Sequence, residues 1–295
     1  MNVKTLLIEK LMNIILQIWS YFLHKNKLGL IALGVLFMFI FAAIFAPLIT
    51  PAGYGEQKYL SEINNFPSRS HWFGVDAVGR DYFSRVIYGI RVSLFVGFAT
   101  AFVSLFIGVP LGALAGYFKG GVDWGVMRLV EIFSVIPPLL VAILFVTLFG
   151  SGLRNIIFIL ALVSWIDICR LVRGEILTLK ERGYSIAAKA IGAKPYRILF
   201  RHLLPNAVSP IIVGLVLCVP RAIMREAMLS FLGIGVTPPT PSWGQMISDG
   251  LYYIQFFWHL TLFPAIFLAL TVLSLSLIGD GLRDAIDPKL KERRR

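Results

Sequence analysis

Charge is scarce in this chain. Asp, Glu, Lys and Arg make up 15% of its 295 residues, where a soluble domain carries about 25%. That shortfall excludes an ordinary water-soluble globular domain. Cysteine is rarer still, with Cys169 and Cys218 the only two. They are too few for a disulfide framework, lack metal-site spacing, and read as small packing residues in apolar surroundings. His24, His71, His202 and His259 are dispersed along the chain, which leaves no zinc-site or H-E-x-x-H pattern. No G-x-x-x-x-G-K-S/T phosphate loop occurs, and no Lys follows a Gly anywhere. The chain therefore has no such cradle for ATP phosphates. A G-x-S-x-G nucleophile elbow is missing too. No catalytic constellation is left, and neither a cofactor nor a metal is expected to bind this chain. The formal net charge of +12 would suit nucleic acid, yet no basic domain with interleaved aromatics accompanies it. Nucleic acid is not an expected partner.

Apolar sequence is what the chain has in excess, at 57% and a mean hydropathy of +0.78. Six apolar runs stand out, at about 28–50, 92–118, 127–149, 155–172, 207–232 and 258–278. Each is long enough, at ~1.5 Å per residue, to cross a bilayer core of ~30 Å. The expected fold is an all-α integral membrane protein with six transmembrane helices in the lipid bilayer. Residues 3–23 are different. Leu7, Leu11, Ile14, Ile18 and Phe22 share one helical face, while Glu9, Asn13, Gln17 and Ser20 share another. An interfacial helix or a contact with a partner subunit both fit that pattern. Glu9 and Lys10 interrupt the apolar core that a signal peptide would need. Of the 28 Lys and Arg residues, 20 fall in 1–27, 119–128, 170–206 and 283–295. That bias places both termini in the cytoplasm.

Several positions inside and beside the spans carry chemical information. Gly108, Gly112 and Gly116 recur at i, i+4 and i+8, a small-residue stripe suited to close helix packing. Asp167 falls within the fourth span, where a charge is expensive. Its spacing favours a pair with Arg170, three residues on; the alternative is a cavity or a partner. Arg221, Arg225 and Glu226 fall in the fifth span, the two arginines on one face and Glu226 on another. They suit a polar route through the membrane or a seam between subunits. Glu131 is within reach of Arg128. Asp76, Asp81 and His71 suit an ordered external loop tied by Asp–Arg contacts better than a nucleotide or metal site. Asp280, Asp284 and Asp287, interleaved with Arg283 and Lys289, read as a solvated cap rather than a cation site.

Between the fourth and fifth spans lies one long polar segment, Glu175 to Asn206. Lys180, Arg182, Lys189, Lys194, Arg197 and Arg201 outnumber Glu175 and Glu181. Two helical pieces are expected around Gly192, which takes a positive φ at little cost, with Pro205 ending the second. Ala187, Ala188 and Ala190 leave room for another surface to approach. The pattern Ala187-Ala188-x3-Gly192, with Leu204-Pro205 further on, resembles the coupling loop of permease subunits in bacterial ABC importers. The family's usual Glu is Ile186 here, and a position often held by Ile is His202. The ending Arg201-His202-Leu-Leu-Pro205-Asn206 is similar to the variant in dipeptide, oligopeptide and nickel importers. Further segments resemble the same family in its own order. They are His71-Trp-Phe-Gly74-Val-Asp76-x-x-Gly79-Arg80-Asp81, Met127-Arg128 with Glu131 and Ile136-Pro137, and Glu226-Ala-x-Leu-Ser-Phe-Leu-Gly233-x-Gly235. Pro238-Pro-Thr-Pro241-Ser-Trp243-Gly244 and the run Gly279-Asp280-Gly281-Leu-Arg283-Asp284 up to Asp287-Pro288 complete the set.

The resemblance extends over about residues 28–290. It implies the smaller of two permease subunits in a peptide-class importer, with the transmembrane fold of a type I ABC importer. It also implies a multi-pass protein of the bacterial inner membrane, paired with a second, homologous permease. Two ATP-binding subunits, which would hold ATP and Mg2+, and an extracytoplasmic solute-binding protein complete the implied assembly. The chain then divides into a cytoplasmic amphipathic segment (1–27), a first span with its external loop (28–91), a translocation core (92–281) and a basic tail (282–295). Ala187, Ala188, Gly192, Arg201, Leu204 and Pro205 are the implied coupling residues. Asp167, Arg221, Arg225 and Glu226 would line the path or the subunit seam. Nickel chelates or another small solute stay open as cargo. A different class also stays open, an ATP-independent channel or secondary transporter with Asp167, Arg221 and Glu226 as its ion path.

Overall fold

A computed structural model describes residues 21–23 and 26–286. The amphipathic face expected over 3–23 therefore lies outside the described residues except at its end, and so does the tail beyond Ile286. Phe22 is buried, its ring packed against Gly29 and Gly281. Outside 50–81, 232–242, 252–258 and short turns the described part is helical, which satisfies backbone polar groups within each segment as lipid requires.

The helices are α1 (Lys27–Ile44), α2 (Tyr82–Phe118), α3 (Gly120–Val135), α4 (Pro138–Phe149), α5 (Leu153–Lys180) and α6 (Gly183–Ala190). They continue as α7 (Pro195–Phe231), α8 (Trp243–Leu251) and α9 (His259–Ile286). Among the described residues α1, α2, α5, α7 and α9 are each long and apolar enough to cross a membrane. Taken as one span, the broken pair α3 and α4, which meet at 84°, brings the number to six. The sequence suggests one continuous third span over 127–149; the chain instead turns at Pro137-Pro138. Ile136 and Pro137 both precede a proline and are held in extended conformation, with ψ of 123° and 130°, because the proline ring disfavours helical geometry there.

Two other boundaries differ from expectation. The second span starts at Tyr82, not near 92, because Asp81 caps it by accepting from Ser84 N at 2.7 Å. A division of the chain at residue 91 thus falls inside α2. Pro205 does not end a helix either. A π-helical turn over Leu199–Leu203 precedes it, with Leu204 N bonded to Leu199 O. That wider turn accommodates a ring that would otherwise press on the carbonyl four residues back, and Asn206 Nδ2 donates to His202 O at 2.6 Å.

Tight packing centres on α2 and α5. A Cβ on Gly108 would fall 2.8 Å from Trp165 O, and one on Gly116 would fall 2.8 Å from Arg173 O. A Cβ on Gly112 would fall closer still to Cys169 O. The glycine stripe is what lets these two helices touch backbone to backbone. Cys169 and Cys218 are buried and free. Helix α7 runs antiparallel to α5, with Gly214 against Leu171, and α1 packs on α9 through a stacked Phe39–Phe267 pair at 5.1 Å.

The segment between α1 and α2 folds over the ends of α2 and α8. Asp76 Oδ1 accepts from Val78 N at 3.0 Å and Arg80 N at 2.9 Å, while Asp76 Oδ2 pairs with Arg80 at 2.7 Å. Arg85 reaches the same carboxylate at 3.5 Å and donates to the carbonyls of Tyr54 and Pro239. Trp243 Nε1 donates to Val86 O at 3.1 Å. The expected Asp–Arg ties are present.

Candidate functional site

The polar segment between α5 and α7 forms a short helix packed against the ends of both. Helix α6 ends in a Schellman turn. Gly192, at φ +78°, gives its N–H to Lys189 O at 3.0 Å, and Ala193 N donates to Ala188 O at 3.1 Å. The bend expected at Gly192 is there, and it depends on a left-handed backbone that most side chains resist. Pro195 then opens α7 in its first turn, where its missing N–H costs nothing.

The six coupling candidates occupy two environments. Ala187, Gly192 and Arg201 are exposed. Ala188 is buried and packs with Ile176, Ile198 and Leu203 in one apolar cluster. It therefore joins α6 to the ends of α5 and α7. Leu204 and Pro205 line an apolar groove of about 480 Å³ shared with Phe106, Val109 and Ile211. The surface of the loop carries residues that composition alone did not single out. Ile186, Tyr196 and Phe200 are exposed, and Ile191 is 86% exposed at the bend, beside exposed Arg182, Lys189, Lys194 and Arg197. Large apolar side chains and cations thus share the exposed surface of this loop. Their signal in the sequence was aromatic and aliphatic residues recurring within an otherwise polar run.

A second cluster sits at mid-height between α5 and α7. Arg221 Nη1 lies 3.6 Å from Asp167 Oδ2, with side-chain exposures of 56% and 49%. Asp167 thus pairs across the seam and not with Arg170, which donates instead to Ser134 Oγ at 2.9 Å. The i, i+3 spacing was correct for a helix, but the antiparallel partner supplies a nearer charge. Arg225 donates to Ser164 Oγ at 3.0 Å. Glu226 does not join this group: it is fully buried and accepts from Ser230 Oγ at 2.6 Å and Ser242 Oγ at 2.8 Å. Its partner Ser242 lies far along the chain, so spacing gave no sign of it. Lower down, Arg128 pairs with Glu131 at 2.9 Å, as their spacing suggests. Arg173 grips Asp123 bidentately at 2.5 and 2.7 Å, fastening the start of α3 to α5.

Comparison with known proteins agrees with this arrangement. The family model for the binding-protein-dependent transport system inner membrane component matches residues 108–292. A second model, the N-terminal TM domain of oligopeptide transport permease C, matches residues 16–67. The chain is 44% identical over 270 residues to the dipeptide transport system permease protein DppC of Bacillus subtilis (strain 168), covering 91% of this chain and 84% of that one. It is 41% identical over 288 residues to the oligopeptide transport system permease protein OppC of the same organism, covering 96% and 94%. The glutathione transport system permease protein GsiD of Escherichia coli O6:K15:H31 (strain 536 / UPEC) is 42% identical, covering 93% and 90%. An inward-facing structure of the MetNI methionine ABC transporter superposes with a TM-score of 0.58 at 22% identity, covering 69% of this chain and 97% of that one; it shares the fold. The chain belongs to the binding-protein-dependent transport system inner membrane component family.

Proposed function

We propose that this chain is one of two permease subunits forming the inner-membrane path of an ATP-driven importer for di- and oligopeptides. The observation that carries the reading is the α6 loop, an exposed apolar and basic surface rigidly joined to two membrane helices through Ala188. Such a loop is built to receive force. ATP and Mg2+ are held by separate ATPase subunits, whose closure displaces α6 and, with it, the ends of α5 and α7. Ala187, Ile191, Tyr196 and Arg201 make the contact, Gly192 fixes the bend, and Leu204 and Pro205 carry the motion into α7. A lever transmits motion only if its joint is stiff, and the Schellman turn supplies that stiffness. Both termini and α6 face the cytoplasm, where the Lys and Arg excess lies, and a solute-binding protein delivers cargo from the opposite side. The named dipeptide, oligopeptide and glutathione permeases share peptide cargo, which supports a peptide over a nickel chelate.

Purification of the tagged chain in mild detergent, with mass spectrometry of what stays bound, tests the assembly. A phosphate-loop ATPase and a second permease are expected in the eluate. A chain recovered alone from intact membranes would remove the coupling reading.

A further inference from the structure

Arg221 and Arg225 reach from α7 to α5, and Arg170 reaches from α5 to α3, with incomplete counter-charge among them. Asp167 stands near the middle of α5, half exposed, and pairs with Arg221. One turn further along α7, away from the coupling loop, Arg225 has only the Ser164 hydroxyl. One turn along α5 towards that loop, Arg170 has only the Ser134 hydroxyl. Among the described residues neither Arg225 nor Arg170 has a carboxylate within ion-pair distance. Helical rise spreads the three guanidinium groups over roughly 10 Å of depth.

Three cations against one carboxylate cannot face hydrocarbon at this depth. A hydroxyl satisfies a guanidinium N–H without neutralising it, whereas a free carboxylate does both and can bind in bidentate fashion. In a peptide of any sequence, one carboxylate is always present, at its C-terminus. Resting on the peptide-importer reading, we propose that Arg225, Arg221 and Arg170 form a ladder that passes the C-terminal carboxylate of the cargo through the membrane. Asp167 competes for Arg221, so the cargo is held without being trapped, as a conducting path requires. The selectivity is for a chain end, independent of side chains.

The test uses the whole transporter, with its ATPases and binding protein, in proteoliposomes. ATP-driven uptake is measured for one labelled peptide with a free C-terminal carboxylate and for its C-terminal amide. The binding protein's own preference is common to every variant and cancels on comparison. Arg225→Gln is expected to lower the acid-over-amide preference roughly tenfold, Arg170→Gln to lower it less, and Arg225→Lys to retain much of it. Unchanged preference in both Gln variants, with uptake intact, would overturn the ladder. So would failure of Arg225→Gln, but not Arg225→Lys, to assemble with the second permease, since the missing counter-charge would then belong to that subunit. An assembled wild-type complex that imports no peptide at all would instead remove the importer reading, and the ladder with it.

Discussion

The Ser242 hydroxyl donates to Glu226 Oε1 at 2.8 Å and so ties the start of α8 to a carboxylate buried in α7. Ser230 shares the same oxygen, and the helix ends just beyond, in a turn at Gly233 with φ +78°. Glu226 is thus a buried anchor for the segment that joins α7 to α8. Glu226→Gln keeps an acceptor oxygen and the side-chain volume, so it should be well tolerated. Glu226→Ala leaves two buried hydroxyls short and opens a cavity, a loss of about 2–4 kcal/mol. Limited proteolysis of residues 232–242 in detergent should show faster cutting in the Ala variant than in the Gln variant. Equal rates would mean that the anchor does not hold this segment.

The glycine stripe of α2 makes a sharper prediction. Gly112→Ala would drive a Cβ into the Cys169 carbonyl, and backbone cannot swing aside as a flexible side chain can. The helices must separate, at a cost of about 1–3 kcal/mol. Gly125→Ala is the control, since nothing lies within 4 Å of a Cβ there. The midpoint of thermal unfolding in detergent should fall for the first variant and hold or rise for the second.

Gly192 separates insertion from coupling. A β-branched residue at φ +78° opposes the left-handed turn by about 1–2 kcal/mol, whereas Asn enters that region readily. Gly192→Val should reach the membrane in normal amount and lose peptide uptake; Gly192→Asn should keep most of it. Equal uptake in both would mean that the bend need not be fixed.

The exposed apolar face of the loop should bind the ATPase. Ile191→Asp removes its most exposed aliphatic side chain and sets a carboxylate among the surrounding cations, so ATPase retention on the purified permease should fall by about tenfold or more. Arg201→Gln, at the exposed edge, should chiefly weaken the salt dependence of association. Retention measured across a salt series distinguishes the two effects.

Much of this architecture was legible because lipid admits few solutions. Apolar runs located the spans, the recurrence of Gly108, Gly112 and Gly116 anticipated the close helix pair, and Gly192 marked the bend. What stayed hidden needed knowledge of partners distant in sequence. Arg85 looks like a soluble-loop residue, yet the carbonyls of Tyr54 and Pro239 and the Asp76 carboxylate let it lie buried inside α2. Arg221 captures Asp167 from another helix, which no i, i+3 rule can report. Ala188 was expected to leave room for another surface because it is small, and that smallness also fits it to the core beneath α6.

The most direct measurement is uptake of a labelled peptide into proteoliposomes holding the complete assembly. ATP is supplied on the coupling-loop side and the binding protein on the other. Accumulation against the peptide gradient should require ATP hydrolysis and vanish in Gly192→Val. Accumulation driven by an ion gradient, without ATPase subunits, would contradict the importer reading and restore Asp167 and Arg221 as an ion path.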